Sequence, residues 1–419
     1  MGNMSNLIVT NIGMLATPQG KGPKKGPEQG DIKILNDAWV LIKDGVIAGV
    51  GQGKLPEQYD NLDLSTVKTV DAQGKLVTPG LVDAHTHLIF GGWRQNELGM
   101  KLHGKTYLEI QNAGGGIQST TNATRQSTEE ELTQKAARAL NEMMGFGVTT
   151  CEAKSGYGLA TEHELKALQV IKNLNDRHAM DIVATFMGAH LVPAEYKANR
   201  AEYIRLVCEE MMPKVKEQGI AKYCDVFCEA DTFTKEESRQ VLEAGLKYGL
   251  RPKIHADEIE AIGGSQLAGE IGAISAEHLI VCPPEGIASL AKGGVIACLL
   301  PATSFYLGAV FAPARDMVNA GVPVAMATDF NPGSCPCLNL QFVINLGCLK
   351  YKLTPEEVLT AVTLNAAAAI DMAEKVGSVE AGKQGDLVIW DAPDLDYICY
   401  RMGSNLTQTV IKKGTVVVG

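Results

Sequence analysis

The stretch GLVDAHTHLIFGG, residues 80–92, places two histidines one residue apart at the end of an apolar run. Alternate side chains of a β-strand share a face, so His85 and His87 are predicted to point the same way at a strand end. Two imidazoles held in register on a rigid strand form half of a metal site. The alternative is a pair of hydrogen-bonded core histidines, and an isolated His-x-His motif favours that alternative.

Similar apolar segments recur along the middle of the chain and alternate with amphipathic ones, which is typical of parallel βα units. The predicted strands are 76–87, 147–157, 181–190, 223–230, 250–258, 273–279, 294–301 and 322–330. Eight repeats predict an α/β fold, a closed (β/α)8 barrel of the TIM type. A helix is predicted over 127–147, with a capping box formed by Ser127 and Glu130. The long glycine-rich loop 88–126 is predicted to cover the barrel mouth.

The two ends of the chain are rich in strand patterns. The predicted terminal strands are 5–17, 38–53, 385–391 and 409–419. Asp44-Gly45 lies between two apolar runs and predicts a hairpin turn. The simplest arrangement pairs the two ends with each other, so we predict a small β-sandwich domain from 1–75 and 373–419, with 76–372 as the barrel.

Composition narrows the class of protein. The chain has 419 residues, 45% of them apolar, and a formal net charge of −10. This charge disfavours nucleic acid and anionic membranes as partners. No export signal or membrane-length apolar stretch is recognisable, so we expect a soluble cytoplasmic protein with its ten cysteines reduced. A metal site at Cys335-Pro-Cys337 is disfavoured because no second cysteine pair completes it.

Five of the eight histidines fall at the predicted carboxyl ends of strands, together with one aspartate. These strand-end residues are His85, His87, His190, His255, His278 and Asp329. Active sites of such barrels lie at this end, and scattered core histidines would not gather there. His163 and His178 lie in a predicted helical region and are interpreted as solvated residues, whereas His103 in the long loop has no assigned role.

This pattern resembles the amidohydrolase superfamily of metal-dependent barrels, and the segment 377–391 is similar to part of its small sandwich domain. Many two-metal members carry a bridging lysine at the end of strand four, but YCDVFCEA (223–230) has none there. The resemblance therefore implies one metal ion per chain, divalent or trivalent, zinc or iron. The ligands that it implies are His85, His87, His255 and Asp329. A metal lowers the pKa of bound water from about 15.7 to about 7–9.

Local motifs are similar to those of the imidazolonepropionase family within that superfamily. They are HTHLIFGGWR (85–94), GGGIQSTTNATR (114–125), EAKSGYGL (152–159), FMGAHLVP (186–193), IHADEI (254–259) and ATDFNPGSCP (327–336). The resemblance covers essentially the whole chain. It implies a hydrolase of histidine degradation that opens the ring of 4-imidazolone-5-propanoate to give N-formimidoyl-L-glutamate, and it implies a homodimer.

The resemblance also assigns roles to residues of this sequence. The implied substrate contacts are Arg94, Tyr107, Tyr157, His190, Glu258, Asn331, Gly333 and Ser334, and the implied catalytic residues are Glu258, His278 and Asp329. Arg94 would grip the propionate, and the backbone N–H groups of the 331–334 turn would hold a carboxylate. The plainer interpretations are a surface ion pair for Arg94, a half-buried loop residue for Tyr157, a solvated carboxylate for Glu258 and ordinary turn chemistry for 331–334.

Three other functions compete with ring opening. An aromatic deaminase of the same superfamily would share the single-metal site, but Arg94 and the 331–334 turn favour an anionic substrate over a neutral base. A non-catalytic scaffold would be expected to have lost metal ligands, and all four are present. A purely structural metal fits poorly with further polar residues at a barrel mouth.

Overall fold

The computed structural model describes residues 6–54, 67–105, 109 and 114–419. Its strands fall into two sheets, a terminal sheet and a barrel. In chain order the strands are β1 Leu7–Pro18, β2 Ile32–Lys43, β3 Val46–Gln52, β4 Lys68–Asp71, β5 Leu76–Pro79, β6 Leu81–Asp83, β7 Val148–Lys154, β8 Asp181–Ala189, β9 Tyr223–Cys228, β10 Arg251–Ala256, β11 Ser275–His278, β12 Ile296–Leu299, β13 Val324–Met326, β14 Leu387–Trp390, β15 Thr407–Lys412 and β16 Thr415–Val418.

Helices cover the outside of the barrel and connect most of its strands. The α-helices in the described part of the chain are α1 Asn96–Leu102, α2 Gly116–Gln126, α3 Glu129–Gly145, α4 Thr161–Arg177, α5 Arg200–Leu206, α6 Met212–Gln218, α7 Lys235–Lys247, α8 Gly264–Ile271, α9 Pro284–Gly293, α10 Pro301–Leu307, α11 Ala314–Asn319, α12 Leu340–Leu349, α13 Pro355–Ala361, α14 Leu364–Ala368 and α15 Leu395–Tyr400. Within these residues, each helix is too short or too polar to cross a bilayer.

Strands β6 to β13 pair in sequence order and form the predicted eight-stranded parallel barrel, which is thereby confirmed. The barrel closes just beyond β6 and β13, where Thr86 and Phe330 form a parallel bridge. Asp329 N donates to His85 O at 3.1 Å, and His87 N donates to Phe330 O at 2.9 Å. The two segments that carry the predicted ligands therefore hydrogen-bond directly to each other.

The apolar run predicted as one strand over 76–87 is two short strands in different sheets. β5 pairs with β1 and β14 in the terminal sheet, whereas β6 pairs with β7 in the barrel. Gly80 separates them, and a Cβ atom there would lie 2.3 Å from Thr149 Oγ1. Both strands are buried along their whole length, so the hydrophobic pattern does not mark the change of sheet.

The terminal sheet joins both ends of the chain in the order β16-β15-β14-β5-β1-β2-β3, with β4 added to β1. The hairpin prediction at Asp44-Gly45 is confirmed, because both residues have positive φ (50° and 78°) as the tight turn between β2 and β3 requires. A separate apolar core is shared by strands from the two chain ends and includes Val9, Val40 and Ile389. The exact domain boundaries remain a prediction.

The predicted capping box was wrong by one residue. Thr128 caps α3, its hydroxyl accepting from Glu131 N while the Glu131 carboxylate accepts from Thr128 N. Ser127 instead donates its hydroxyl to Ala123 O at the end of α2. The sequence pattern did not reveal α2, which ends at Gln126. Ser127 hydrogen-bonds to the last turn of this helix and therefore does not cap α3.

A buried ion-pair cluster fastens the terminal sheet to the base of the barrel. Lys412 Nζ of β15 lies 2.7 Å from Asp181 Oδ2 of β8 and 2.6 Å from Asp386 Oδ2, and its side chain is only 3% exposed. Burial by itself would raise the pKa of Asp181, but Lys412 and further hydrogen bonds outweigh it and lower the pKa from 3.8 to about 2. Ionised Asp181 therefore stabilises the folded state at neutral pH.

Asp181→Asn should lower the thermal unfolding midpoint at pH 7 and flatten its decline in acid. A carboxylate with a depressed pKa stabilises the fold above its unfolded pKa, and this contribution, about 2 kcal/mol here, is lost as the pH falls from about 4 towards 2. The midpoint would be followed by calorimetry from pH 7 to pH 2. Asp176→Asn, at an exposed i,i+4 pair with Lys172, is the control and should have little effect. An Asp181→Asn protein with an unchanged midpoint at pH 7 would contradict the prediction.

Candidate metal centre and active site

The structure brings the four predicted ligands together at the carboxyl end of the barrel. His87 Nε2 lies 3.2 Å from His255 Nε2. Asp329 Oδ1 lies 3.4 Å from His85 Nε2 and 3.6 Å from His87 Nε2. All four side chains are buried. The ligand atoms thus converge on one point from β10 and from the segments that follow β6 and β13.

Two of these imidazoles are oriented by buried carboxylates. His85 Nδ1 lies 2.6 Å from Glu277 Oε2, and His255 Nδ1 lies 3.1 Å from Asp225 Oδ1. Each carboxylate accepts a hydrogen bond from Nδ1–H, so the Nε2 atom of each ring keeps its lone pair for a metal. His85 Nε2 and Asp329 Oδ1 are buried without a hydrogen-bond partner. Orphaned buried acceptors facing one another fit a cation between them, so the residues fit the metal that the family implies.

Burial also keeps the ring nitrogens in the form that binds metal. Burial and nearby positive charge lower the pKa of His85 and of His87 well below the usual range, so both rings are neutral at pH 7. Burial raises the pKa of Asp329 to about 6, even though Thr303 Oγ1 donates to its Oδ2 at 2.6 Å. Asp329 also has a positive φ of 59°, a sparsely populated conformation that aims its side chain into the centre.

A buried network of charged side chains beneath the centre was not recognised in the sequence. Lys154 Nζ lies 2.8 Å from Glu152 Oε2 and 2.7 Å from Asp225 Oδ2. Lys253 Nζ lies 3.0 Å from Glu152 Oε1 and 3.4 Å from Glu277 Oε1. Burial would raise the pKa of Asp225, but His255 and Lys154 hold it well below its usual value. Charged residues inside otherwise apolar strands were the signal that could have revealed this network.

A cavity of about 530 Å³ opens beside the centre. It is lined by most of the predicted site residues and by apolar side chains such as Ile117 and Val310. The His190 ring stacks on His87 with centroids 5.0 Å apart, and Tyr157 lies 5.1 Å from His190. His190 Nδ1 donates to Gly156 O, which leaves its Nε2 as an acceptor. Tyr157 is only 3% exposed, more deeply buried than its plainer interpretation predicts.

Arg94 reaches the same cavity and is held by a glutamate. Its Nε and Nη2 each lie 2.9 Å from a different oxygen of Glu97. Glu97 Oε1 also accepts from Gly116 N, which ties the beginning of the long loop to the start of α2. A Cβ on Gly333 would lie 2.1 Å from Arg94 Nη1, so only glycine permits this approach. Arg94 does form an ion pair, but a buried one that lines the cavity.

The 331–334 turn differs from its prediction in one respect. The N–H groups of Gly333 and Ser334 donate to Asn331 Oδ1 at 2.9 and 2.7 Å. They are used inside the turn, as its plainer interpretation predicts, and a carboxylate would have to displace Asn331 to reach them. All three residues nonetheless line the cavity.

Glu258 and His278 face each other across the cavity wall, with Oε2 and Nε2 3.5 Å apart. Burial, with Asp329 and Glu229 nearby, raises the pKa of Glu258 well above its usual value. A raised pKa favours the protonated carboxyl, which can donate a hydrogen bond. This contradicts the plainer interpretation of Glu258 as a solvated side chain.

The remaining residues fall outside the centre. Tyr107 lies outside the described residues. His163 lies in the first turn of α4 and His178 directly follows this helix, outside the ligand cluster; both are partly buried rather than solvated as predicted. Cys335 Sγ donates to Thr328 O, and in the described part of the chain it belongs to no group of side chains that could hold a metal.

His255→Ala should abolish stoichiometric metal binding, because it removes one of three converging imidazoles and leaves Asp225 Oδ1 without its imidazole partner. Metal content per chain would be measured by inductively coupled plasma mass spectrometry after dialysis. His163→Ala, which removes a histidine far from the cluster, is the control and should retain full metal. Full metal retention by His255→Ala would refute the ligand set.

A family model and full-length relatives match the sequence of this chain. Residues 76–417 match the family model described as the amidohydrolase family. The chain is 50% identical to an imidazolonepropionase of Alkaliphilus metalliredigens over 418 residues, covering 99% of this chain and 98% of the relative. It is 49% identical to an imidazolonepropionase of Geobacillus sp. over 417 residues, covering 99% and 98%.

Solved structures with low sequence identity share the fold. A triazine hydrolase variant matches with a TM-score of 0.74 at 18% identity, covering 99% of this chain and 95% of that one. An atrazine chlorohydrolase mutant from Arthrobacter aurescens, complexed with zinc and atraton, matches with a TM-score of 0.73 at 17% identity over 98% and 95%. By its sequence and its fold, the chain belongs to the amidohydrolase superfamily and, within it, to the imidazolonepropionase family.

Proposed function

We propose that this enzyme hydrolyses 4-imidazolone-5-propanoate to N-formimidoyl-L-glutamate. The observation that carries the proposal is one cavity that joins a converging His/His/His/Asp cluster to Arg94, whose side chain is 8% exposed. Water adds to the ring carbonyl carbon, and the bond from that carbon to the ring nitrogen breaks. The products of that cleavage are a new carboxylate and a formimidoyl nitrogen that must gain a proton.

Arg94 is proposed to bind the propionate arm. Its guanidinium is oriented by Glu97, and charge-assisted hydrogen bonds to a carboxylate are stronger than neutral ones. Tyr157 and His190 would pack against the ring, with His190 Nε2 as an acceptor for a ring N–H. The Asn331 and Ser334 side chains line the cavity but are hydrogen-bonded within the 331–334 turn, so their contact with substrate requires these bonds to rearrange.

Proton transfers are assigned to three side chains. Asp329 Oδ1 accepts a proton from the attacking water, because this oxygen is directed at the ligand cluster and has no hydrogen-bond partner. Glu258 Oε2 and His278 Nε2 lie 3.5 Å apart, so a proton held on Glu258 can be delivered towards the leaving nitrogen directly or through His278. Glu258 would also contact a ring nitrogen of the substrate.

We propose one metal ion per chain, zinc or iron, held by His85, His87, His255 and Asp329. Neutral imidazoles with one carboxylate suit either metal. When bound, the ion acts as a Lewis acid that polarises the ring carbonyl and lowers the pKa of water. We also propose a homodimer in the cytoplasm, and the ten free thiols fit a reducing compartment.

The reaction is tested by incubating metal-replete protein with imidazolone propionate and following the loss of its ultraviolet absorbance. We expect turnover, with N-formimidoyl-L-glutamate identified by mass spectrometry and no release of ammonia. Absence of turnover together with deamination of a purine or pyrimidine would overturn the proposal and favour the deaminase.

Arg94→Lys should raise the KM for imidazolone propionate by about 10- to 100-fold, with a smaller effect on kcat. Lysine keeps a charge for Glu97 but loses the planar fork, and a charged hydrogen bond contributes about 1.5–3 kcal/mol. Steady-state kinetics measure the change. The control is Arg205→Lys at an exposed pair with Glu202, which should leave both constants unchanged. An unaltered KM in Arg94→Lys would remove Arg94 from substrate binding.

A further inference from the structure

A buried carboxylate immediately after β9 holds the turn that carries Glu258. Glu229 is 2% exposed, and its oxygens accept from the backbone N–H groups of Glu258, Ile259 and Glu260 at 3.1, 2.9 and 2.9 Å. Its Oε1 also accepts from Ala230 N at 3.0 Å. One side chain therefore satisfies three consecutive backbone donors of a neighbouring βα loop.

This turn depends on an outside acceptor for its shape. Asp257, the residue before Glu258, has a φ of 51°, a conformation that few residues other than glycine adopt readily. Three successive N–H groups converge on one side of the chain and form a concave site for an anion. An ionised carboxylate accepts at about four positions, so it can serve every one of these donors. A glutamine has only one accepting oxygen and would direct its own N–H₂ group at the rest.

The turn sets the position of the Glu258 side chain. The Glu258 carboxyl reaches to 3.5 Å from His278 Nε2 and lines the cavity, while its backbone N–H is fixed by Glu229. A shift of the turn would move the carboxyl away from the leaving nitrogen. Misplacement of a catalytic group by about 1 Å can cost about 100-fold in rate.

A second buried glutamate has the same arrangement at another loop of the mouth. Glu164, in the first turn of α4, accepts from the N–H groups of Gly156, Gly158 and Leu159 at 3.0, 2.8 and 2.8 Å. Leu159 also has a positive φ, 49°. This loop carries Tyr157, so Glu164 supports a different wall of the same cavity and provides a matched comparison.

We propose that Glu229 is a positioning residue that acts on ring opening through Glu258 alone. The proposal rests on the proposed function of Glu258. Glu229 lines the same cavity, and its charge helps to raise the pKa of Glu258. Its hydrogen bonds go to Ala230 and to the 258–260 turn, so both its charge and its hydrogen bonds act on the reaction through Glu258. Glu164 fixes the 156–159 turn independently.

A double-mutant cycle in the metal-loaded enzyme tests the proposal. Glu229→Gln should lower kcat by about 10- to 100-fold in the wild-type background. In the Glu258→Gln background it should lower kcat by less than about twofold, because the group that it positions is already absent. Glu164→Gln should keep its full effect in the Glu258→Gln background, since it acts on another turn. Equal losses from Glu229→Gln in both backgrounds would overturn the proposal.

Amide hydrogen exchange, followed by mass spectrometry of the same proteins, provides a readout that needs no substrate. Glu229→Gln should speed exchange in a peptide spanning 258–260 and leave the 156–159 peptide unchanged, with metal content retained. Glu164→Gln should show the reverse pattern. Faster exchange throughout β9 and β10, or loss of metal, would show a general structural role instead. If wild-type protein fails to open imidazolone propionate, the proposed function fails, whereas this exchange pattern still decides whether Glu229 holds the turn.

Discussion

The centre of this protein depends on imidazoles whose Nδ1 atoms are fixed by buried carboxylates. Glu277 and Asp225 orient His85 and His255, and each carboxylate is paired in turn with a lysine, Lys253 or Lys154. Burying an unpaired charge in a barrel interior carries a large desolvation free energy. The paired lysines offset this cost for the two carboxylates. The result is a set of ring nitrogens, pre-oriented and shielded from water, at the position where a cation can be held.

Closure of the barrel and assembly of this centre are the same event. His85 and His87 exchange backbone hydrogen bonds with Asp329 and Phe330, so ligands almost 250 residues apart in the chain meet only when the first and last strands pair. Beneath them, Asp83 accepts from both the backbone N–H and the hydroxyl of Thr328, which fixes the register of that seam. A barrel that failed to close would therefore lose the ligand set along with the fold.

The walls of the cavity are positioned by glutamates that do not themselves face the ligand cluster. Glu97 orients the Arg94 guanidinium, Glu164 supports the turn of Tyr157, and Glu229 supports the turn of Glu258. Glu164 and Glu229 accept hydrogen bonds from backbone N–H groups of irregular turns that have no regular secondary structure to satisfy these donors, and Glu97 accepts from the Arg94 guanidinium and from Gly116 N. These hydrogen bonds fix three parts of the cavity wall at the barrel mouth.

The sequence by itself determined the eight-stranded barrel, the pairing of the two chain ends and the histidines and aspartate of the centre, because strand periodicity and the residues at strand ends are local signals. Only the tertiary structure decided that Gly80 divides one apolar run between two sheets, that Asn331 uses the N–H groups of its own turn, and that Glu229 holds Glu258. These features depend on which distant groups meet in space. A sequence does not distinguish a buried glutamate from a solvated one. The hydrogen-bond donors that a glutamate contacts are determined only when the folded barrel brings distant segments together.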